Sequence, residues 1–372
     1  MAKVRLYDTT LREGTQSPVA RITPDVKIEV IRILDELGVD AVEAGFPRAD
    51  PRDVEVMKKA REFVSRVELS GFARSVEKDI QLVKEAGADI VQVFIPGSDS
   101  QLAAIMGVSW SDAMSRLEHA IEYGNGLGLR VYVAVTDAVR AREEVLRRIA
   151  GIALRKGAEE IVLADTIGVG VPDEIAGIVS VVLDEGFERV GLHLHNDLGL
   201  ATCNALAGIK AGATEIQVTI GGIGERLGNT PLEELAAIAR VKGLFETNIE
   251  YGKLIPLVRK ALEVMGVKPY PLKPVIGDYA YLHVSDIHVY STFRYPGSFE
   301  AFDPSIFGGQ RVVRFGTLTG AKSVKYALSS RGIEVSDEEA RELARLVRRR
   351  AKGVDDYSVD DLVRFLEELR SG

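Results

Sequence analysis

The sequence predicts an α/β fold, a (β/α)8 TIM barrel followed by a smaller α+β C-terminal region. Eight short runs rich in β-branched residues occur before residue 245, and each is too apolar to leave one face in water. Amphipathic segments with helical periodicity separate these runs. No G-x-G-x-x-G motif follows the first run, which disfavours the alternative of a doubly wound open sheet.

The predicted strands follow one another at regular intervals along the chain. They are expected at residues 4–8, 41–44, 67–70, 90–94, 131–135, 161–164, 190–195 and 216–219. The phrases ELGVDAVEAG, EAGADIVQV, RKGAEEIVL and KAGATEIQV repeat one pattern, in which a helix ends at glycine and a buried strand begins shortly afterwards. Eight such units favour closure into a barrel.

Helices are predicted between the strands, and the segment 24–37 is the first of them. Its apolar residues recur at helical spacing, Thr23 precedes Pro24 as an N-cap, and Gly38 ends the segment. The segment 111–127 shows the same periodicity. Each of these segments has the length that a barrel crossover needs.

The strand–helix rhythm stops after residue 245. Residues 251–266 are predicted to be helical, and three prolines between residues 269 and 274 indicate an extended linker. Two charged amphipathic helices are expected near 337–351 and 358–370. We therefore expect a barrel domain at 1–250 and a C-terminal subdomain at 251–372.

The composition excludes several classes of protein. The 372 residues include 47 basic and 55 acidic side chains, a net charge of −8, and the scattered basic residues offer no long positive surface to nucleic acid. No apolar run approaches the roughly 18 residues of a membrane helix, and the N-terminus lacks the apolar core of a signal peptide. The single cysteine, Cys203, excludes an intramolecular disulfide and a multi-cysteine metal site. We expect a cytoplasmic protein without nucleic-acid or membrane partners.

Polar residues collect where two of the predicted strands end, which is where barrels of this kind carry their chemistry. Strand 1 runs into Asp8, Arg12 and Glu13, and strand 7 ends in His193 and His195. Because side chains alternate along a strand, the two imidazoles point to the same side, and with one carboxylate they suit a divalent ion. The alternative is structural, a polar histidine pair and a capping cluster. Finding two of only five histidines on one strand favours the metal site.

These motifs resemble a known family, the DRE-TIM metal-dependent acyltransferases and lyases. The family includes the 2-isopropylmalate, homocitrate and citramalate synthases, with hydroxymethylglutaryl-CoA lyase and carboxyltransferase domains as cousins. The resemblance extends over nearly the whole chain and rests on LYDTTLREGTQSP (6–18), VEAGFPRADP (42–51), LADTIGVGVP (163–172), HLHNDLGLATCNALAGIKAGA (193–213) and GIGERLGNTPLEEL (222–235).

The resemblance implies a role for each matching residue. It implies a catalytic set of Arg12, His288 and Glu225, a substrate-binding set of Thr219, Tyr132 and Asp165, and a metal-binding set of Glu13, His193, His195 and Asn229. Asp8 is expected to support the loop after strand 1. The cofactor implied is one divalent ion, Mg²⁺, Mn²⁺ or Zn²⁺, and acetyl-CoA is the implied co-substrate.

The implied reaction is a Claisen condensation of acetyl-CoA with a 2-oxo acid, followed by thioester hydrolysis, in amino-acid biosynthesis. The implied assembly is a homodimer in which His288 reaches the partner subunit's barrel. Homocitrate synthases that resemble this chain carry arginine where Tyr132 stands. We therefore expect a 2-oxo acid without a distal carboxylate, 2-oxoisovalerate or pyruvate, to be preferred over 2-oxoglutarate.

Three other functions remain open. A lyase of the hydroxymethylglutaryl-CoA type would need a cysteine in the glycine loop after strand 8, and residues 221–228 contain none. A biotin-linked carboxyltransferase would need an inward-facing lysine on strands 4 to 6, which the sequence does not offer. Thr15, Thr136 and Asp286 depart from the residues usual in the family, which leaves a non-catalytic barrel as the third alternative.

Overall fold

The structure is a computed structural model that describes residues 2–371. The chain divides into two compact units between Pro269 and Tyr270. The domain boundary expected after residue 250 is too early, because the helix Leu254–Val264 packs against the helix Pro24–Leu37 and so belongs to the barrel. The regular alternation of strands and helices therefore ends before the last helix that packs on the barrel.

The N-terminal unit is a closed barrel of eight parallel strands in sequence order, and β1 pairs with both β2 and β8. The strands are β1 Arg5–Asp8, β2 Ala41–Gly45, β3 Glu68–Arg74, β4 Ile90–Pro96, β5 Arg130–Thr136, β6 Glu160–Asp165, β7 Val190–Leu194 and β8 Glu215–Val218. The predicted fold class is confirmed. Every residue of β2, β6 and β7 is buried, as expected for parallel strands that helices cover on the outside.

Helices follow the strands and surround the barrel. Those of the N-terminal unit are α1 Thr10–Glu13, α2 Pro24–Leu37, α3 Arg52–Arg61, α4 Glu77–Glu85, α5 Asp99–Gln101, α6 Trp110–Gly126, α7 Glu143–Arg155, α8 Pro172–Asp184, α9 Ala201–Ala211, α10 Leu232–Lys242 and α11 Leu254–Val264. The ends of α2 confirm the sequence signals: the Thr23 side chain accepts a hydrogen bond from the Val26 N–H, and Gly38 takes a left-handed φ of +86°.

The C-terminal unit combines a small strand pair with helices. Its elements are β9 Leu282–His283, β10 Val312–Val313, α12 Asp286–Arg294, α13 Ala321–Ser329, α14 Asp337–Arg350 and α15 Val359–Ser371. β9 and β10 pair in parallel, and a separate apolar core that includes Val289, Phe315 and Leu343 fills the unit. Among residues 2–371, no helix is long and apolar enough to cross a membrane.

A mainly apolar cluster packs inside the barrel. It consists of Tyr7, Ala41, Ile90, Tyr132, Ala134 and Val162, all buried, with Phe94 packed against them. Strand alternation places the next inward positions nearer the C-terminal ends of the strands. Those positions are polar on several strands, and they form the floor of a pocket.

Candidate active site

The pocket opens at the C-terminal ends of the barrel strands and has a volume of about 170 Å³. It is lined by the charged side chains Arg12, Glu13, Glu225 and Arg226, the imidazoles His193 and His195, the amides Gln16, Gln92 and Gln217, and the smaller or apolar residues Phe72, Ala134, Thr136, Ala164 and Thr166. This is the end of the barrel at which the sequence predicts the chemistry.

The short helix α1 presents Arg12 and Glu13 to the pocket. Asp8, at the end of β1, accepts hydrogen bonds from the backbone N–H and the hydroxyl of Thr10, each 2.9 Å long. The Thr10 hydroxyl also accepts from the Ile220 N–H at 2.8 Å, which ties α1 to the segment after β8. Burial raises the pKa of Asp8 to about 7. Asp8 supports the loop, as expected.

Glu13, His193 and His195 converge on one point. One donor atom from each lies within 4.8 Å of the other two, a separation that one ion with ligand distances of roughly 2.0–2.3 Å can bridge. His193 Nε2 lies 3.3 Å from Glu13 Oε1, and the two imidazole rings are 5.2 Å apart at 70°. All three side chains are buried.

Several atoms around this point are buried without a hydrogen-bond partner. Within residues 2–371, Glu13 Oε2, His195 Nδ1 and Asn229 Oδ1 have none. Buried polar atoms are almost always paired in native proteins, and Glu13 and His195 belong to the converging trio, so these orphans call for an occupant. The set of one carboxylate, two imidazoles and an amide oxygen fits a divalent cation.

The protonation states of the cluster also suit a cation. Burial alone would raise the pKa of Glu13, but the Arg12 guanidinium and the neighbouring His193 imidazole hold it well below its usual range. Burial and the neighbouring His193 ring lower the pKa of His195 to about 3. Glu13 is therefore a carboxylate and His195 a neutral imidazole, the forms in which both side chains bind metal.

A tight glycine turn after β8 brings Asn229 beside the histidines. Gly222 and Gly228 adopt left-handed φ angles of +71° and +83°, which favour glycine. The turn folds back so that Asn229 Nδ2 lies 3.2 Å from His193 Nε2. A Cβ atom on Gly224 would collide with Asn229 Oδ1. The glycines of the GIGERLGN motif therefore position this amide.

Three side chains hold the Arg12 guanidinium in place. Its Nε donates to Glu43 Oε2 at 2.5 Å, its Nη1 pairs with Glu13, and its guanidinium lies 4.7 Å from the centre of the Phe72 ring. Burial opposes the charge, but Glu13 and Glu43 raise the pKa of Arg12 above its usual value. In the described part of the chain, Arg12 Nη2 makes no hydrogen bond, so one donor edge remains for a ligand.

A row of polar side chains links Arg12 to His193 across the lumen. Glu43 accepts from Gln92 at 3.1 Å, Gln92 accepts from Gln217 at 2.5 Å, and Gln217 Oε1 lies 2.9 Å from His193 Nδ1. The sequence analysis did not predict a role for Glu43, Gln92 or Gln217. The available signal is a single polar residue within an otherwise buried, apolar strand, as in AVEAG, IVQV and EIQV.

None of the three residues predicted to bind substrate, Thr219, Tyr132 and Asp165, lines the pocket. The Tyr132 hydroxyl accepts from Arg189 at 2.7 Å, just before the start of β7 and therefore toward the opposite end of the barrel. The Asp165 carboxylate accepts the backbone N–H groups of Val169 and Gly170 at 3.1 and 2.9 Å, so it caps the loop after β6. The alternation of side chains along a strand predicts which residues face the lumen. It does not predict whether a long side chain extends toward the C-terminal or the N-terminal end of the barrel.

The remaining predicted residues have separate positions. Thr219 follows β8 two residues after Gln217, so it faces the lumen; it is buried, and its hydroxyl has no hydrogen-bond partner within residues 2–371. Glu225 lines the pocket. His288 lies on α12 of the C-terminal unit, with its ring stacked 4.2 Å from Phe299.

Comparison with known proteins adds two family matches. Residues 3–260 match the HMGL-like family model, and residues 275–354 match the homocitrate synthase post-HMGL domain-like model. The first match spans the barrel strands, and the second lies in the C-terminal unit.

Full-length relatives and a solved structure are also similar. A 2-isopropylmalate synthase from Sulfurisphaera tokodaii is 35% identical over 96% of this chain and 93% of its own length. A homocitrate synthase from Methanopyrus kandleri is 33% identical over 99% of this chain and 94% of its own. The structure of an HMG-CoA lyase from Bacillus subtilis has a TM-score of 0.66 and 21% identity, covering 73% of this chain and 97% of the lyase.

Proposed function

We propose, from the premise that this chain belongs to the HMGL-like family, that it is an acetyl-CoA-dependent acyltransferase which condenses the acetyl group with a 2-oxo acid. The product is a 2-hydroxy-2-alkyl diacid or triacid of the 2-isopropylmalate, homocitrate or citramalate class. The reaction forms a carbon–carbon bond from the acetyl methyl carbon to the keto carbon, and water then cleaves the thioester and releases coenzyme A.

The observation that carries this proposal is the extent of similarity. The synthase relatives match 96–99% of the chain, whereas the lyase structure matches 73%. The C-terminal unit also matches the domain that follows the barrel in homocitrate synthases. The only cysteine, Cys203, lies on α9 and outside the glycine turn after β8, which disfavours the lyase alternative.

The residues that would hold a divalent ion are Glu13, His193 and His195, with the Asn229 amide beside His193. A bound ion supplies Lewis-acid polarisation of the substrate keto group. Arg12 then donates from its free edge to the oxygen that gains negative charge as the new bond forms. The Thr219 hydroxyl donates to the carboxylate of the 2-oxo acid.

Proton transfer is assigned to His288 and Glu225. His288, directly or through a neighbouring group, removes a methyl proton from acetyl-CoA. Glu225 lies on the pocket wall and can accept or return a proton at the thioester end. Phe72, Ala134 and Ala164 exclude water from the opposite wall, where the side chain of the 2-oxo acid would lie.

The pocket offers no spare cation to a second carboxylate. Arg12 is paired with Glu13 and Glu43, and Arg226 is paired with Asp197 at 2.8 Å. The two further arginines near the strand ends are also occupied, Arg74 by Asp79 at 2.7 Å and Arg140 by Asp137 at 2.6 Å. A buried carboxylate without a counter-charge costs several kcal/mol.

We expect 2-oxoisovalerate or pyruvate to exceed 2-oxoglutarate in kcat/KM by roughly a hundredfold or more. The measurement is release of the coenzyme A thiol from acetyl-CoA, with and without divalent ion, across 2-oxoisovalerate, pyruvate, 2-oxoglutarate and oxaloacetate. Thr136→Arg, which adds a cation to the pocket wall, should shift the preference toward 2-oxoglutarate.

Tyr132→Phe is the matched control, because the Tyr132 hydroxyl lies toward the other end of the barrel. It should leave the order of substrates unchanged. A higher kcat/KM for 2-oxoglutarate than for the other acids would contradict the assigned preference. The absence of thiol release with every acid would contradict the acyltransferase itself.

The proposed assembly is a homodimer in which the C-terminal unit of one protomer completes the active site of the other. The C-terminal unit exposes several large apolar side chains, including Tyr270, Leu272 and Tyr295, each more than 60% exposed. Large apolar side chains are common where proteins meet a partner. An interface between two copies would cover them.

Mixing two inactive variants tests the shared site. Arg12→Ala and His288→Ala should each be inactive alone, because each lacks one part of every site. After subunit exchange, a mixed dimer has one intact site, so an equal mixture should recover about a quarter of the wild-type activity. Exchange is verified with differently tagged protomers, and mixed dimers without activity would refute the shared site.

A further inference from the structure

We infer that Gln92 and Gln217 are positioning residues that set the tautomer of His193, and thereby decide which of its ring nitrogens faces the cation. The inference deepens the proposed function and rests on its metal site. It concerns the lumen ring, which we define as Arg12, Glu43, Gln92, Gln217 and His193, joined in that order by hydrogen bonds, together with Glu13, which pairs with Arg12 and lies beside His193 Nε2.

The direction of hydrogen bonding in the lumen ring starts at Glu43. Its Oε2 accepts from Arg12 Nε at 2.5 Å, so Glu43 is a carboxylate beside a permanent cation. A carboxylate can only accept hydrogen bonds. Both neighbours of Glu43 Oε1 must therefore be donors, and they are Gln92 Nε2 at 3.1 Å and the Tyr7 hydroxyl at 3.4 Å.

The two amides transmit this direction across the barrel. With its Nε2 turned toward Glu43, Gln92 presents Oε1 to Gln217, whose Nε2 donates to it at 2.5 Å. Gln217 then presents its own Oε1 to β7, where it lies 2.9 Å from His193 Nδ1. A reversed amide at either position would set N–H against N–H or oxygen against oxygen.

The last link fixes the imidazole. Because an amide oxygen faces Nδ1, that nitrogen carries the proton, and Nε2 keeps a free electron pair. The Asn229 amide nitrogen, 3.2 Å from Nε2, donates to that pair. Nε2 is also the nitrogen that lies 3.3 Å from Glu13. The lumen ring thus aims a lone pair at the point where Glu13 and His195 converge.

The architecture around the ring supports a dedicated role. Gln92 and Gln217 are each 1% exposed, so solvent cannot replace their partners. On β5 and β6 the pocket is lined by the small residues Ala134 and Ala164, which leave room for the two amides to meet across the lumen. His193 and Gln217 are register partners on neighbouring strands, which fixes their spacing.

The experiment uses the full chain with Gln92→Met and Gln217→Met, which keep side-chain length and remove the amide. Protein labelled with ¹⁵N at its five histidines is measured without metal, and the long-range ¹H–¹⁵N pattern reports which nitrogen of His193 is protonated. The dissociation constants of Zn²⁺ and Mn²⁺ are measured on the same proteins by calorimetry.

Wild-type His193 should carry its proton on Nδ1. Gln217→Met should give a mixture of tautomers and weaken the ion by roughly ten- to a hundredfold, as expected for loss of a side chain that orients a ligand. Gln92→Met, which does not touch His193, should shift the tautomer in the same direction with a smaller loss. Because Gln92 acts through Gln217, the double variant should match Gln217→Met alone.

Gln217→Glu provides the conservative rescue, because a carboxylate still accepts from Nδ1–H. It should restore the wild-type tautomer of His193. Should the methionine variants fail to fold, Glu43→Gln offers a second route, since an amide there can donate and would allow the ring to reverse. It should give the same mixture of tautomers.

A wild-type tautomer of His193 in Gln92→Met, or additive losses of ion affinity in the double variant, would overturn the inference. Failure of the proposed function is distinguishable from this outcome. A wild-type protein that binds neither ion would refute the metal site, while the tautomer measured in metal-free protein would still test the role of the ring.

Discussion

Replacing His195 by alanine is expected to abolish metal-dependent turnover while leaving the barrel folded. The substitution removes one of three converging donors, and the remaining Glu13 and His193 cannot hold the ion in place. Lewis-acid polarisation is worth several kcal/mol to the transition state, so kcat should fall by roughly 10²- to 10⁴-fold. Calorimetry with Zn²⁺ or Mn²⁺ should show the loss of binding directly.

His119→Ala is the matched control for this prediction. His119 lies on α6, its side chain is 65% exposed, and it pairs only with the exposed Glu77. Its loss should change neither ion affinity nor turnover. If His195→Ala retained both the ion and the rate, the metal site and the mechanism built on it would be wrong.

Arg12→Lys is expected to lower kcat by about 10²- to 10³-fold, the usual effect of removing one donor to a developing oxyanion. Lysine keeps the charge between Glu13 and Glu43, so neither buried carboxylate is left without a cation. It cannot keep the planar fork that bonds both carboxylates and leaves one edge free. Ion affinity should not fall, because the metal ligands remain.

The control for Arg12→Lys is Arg140→Lys, in the segment that follows β5. Arg140 pairs with Asp137 and does not line the pocket. Because lysine keeps a cation beside the buried Asp137 carboxylate, this variant should leave kcat within about twofold. A normal kcat in Arg12→Lys would show that the guanidinium does not stabilise the transition state.

The barrel architecture could be predicted because each of its strands has a recognisable pattern in the sequence. All eight strands fall at the expected positions, since a strand buried on both faces is a short apolar run. Their ends were less predictable. The segment SGFAR extends β3 beyond residue 70 although glycine and alanine have low strand propensity, because pairing with β4 holds it.

Some residues of the candidate site could also be predicted from the sequence, and others could not. Arg12, Glu13, His193 and His195 could be found because motifs and alternation place them at strand ends. Tyr132 could not be oriented from the sequence, since a residue in the middle of a strand can extend toward either end of the lumen. The partner that decides its direction, Arg189, is 57 residues away in the chain.

The roles of Gln92 and Gln217 could not be predicted from the sequence for a different reason. Each is one amide in an apolar strand, and their bond joins residues 125 positions apart. No local pattern records such a pair. The cost of burying an unpaired amide nevertheless implies that each must have a partner, so the polar residue within a buried strand was the clue.

The lumen ring constrains how this sequence can diverge, because each hydrogen-bond donor or acceptor in it must match a partner from another part of the barrel. Gln92→Glu alone would place two buried carboxylates face to face, and Glu43→Gln alone would remove the group that sets the direction. Positions 43, 92 and 217 therefore form one epistatic unit despite their distance in the chain. A related sequence with other residues at these positions would need compensating substitutions at more than one of them. The order in which those substitutions arose would decide which intermediate proteins could still hold the ion.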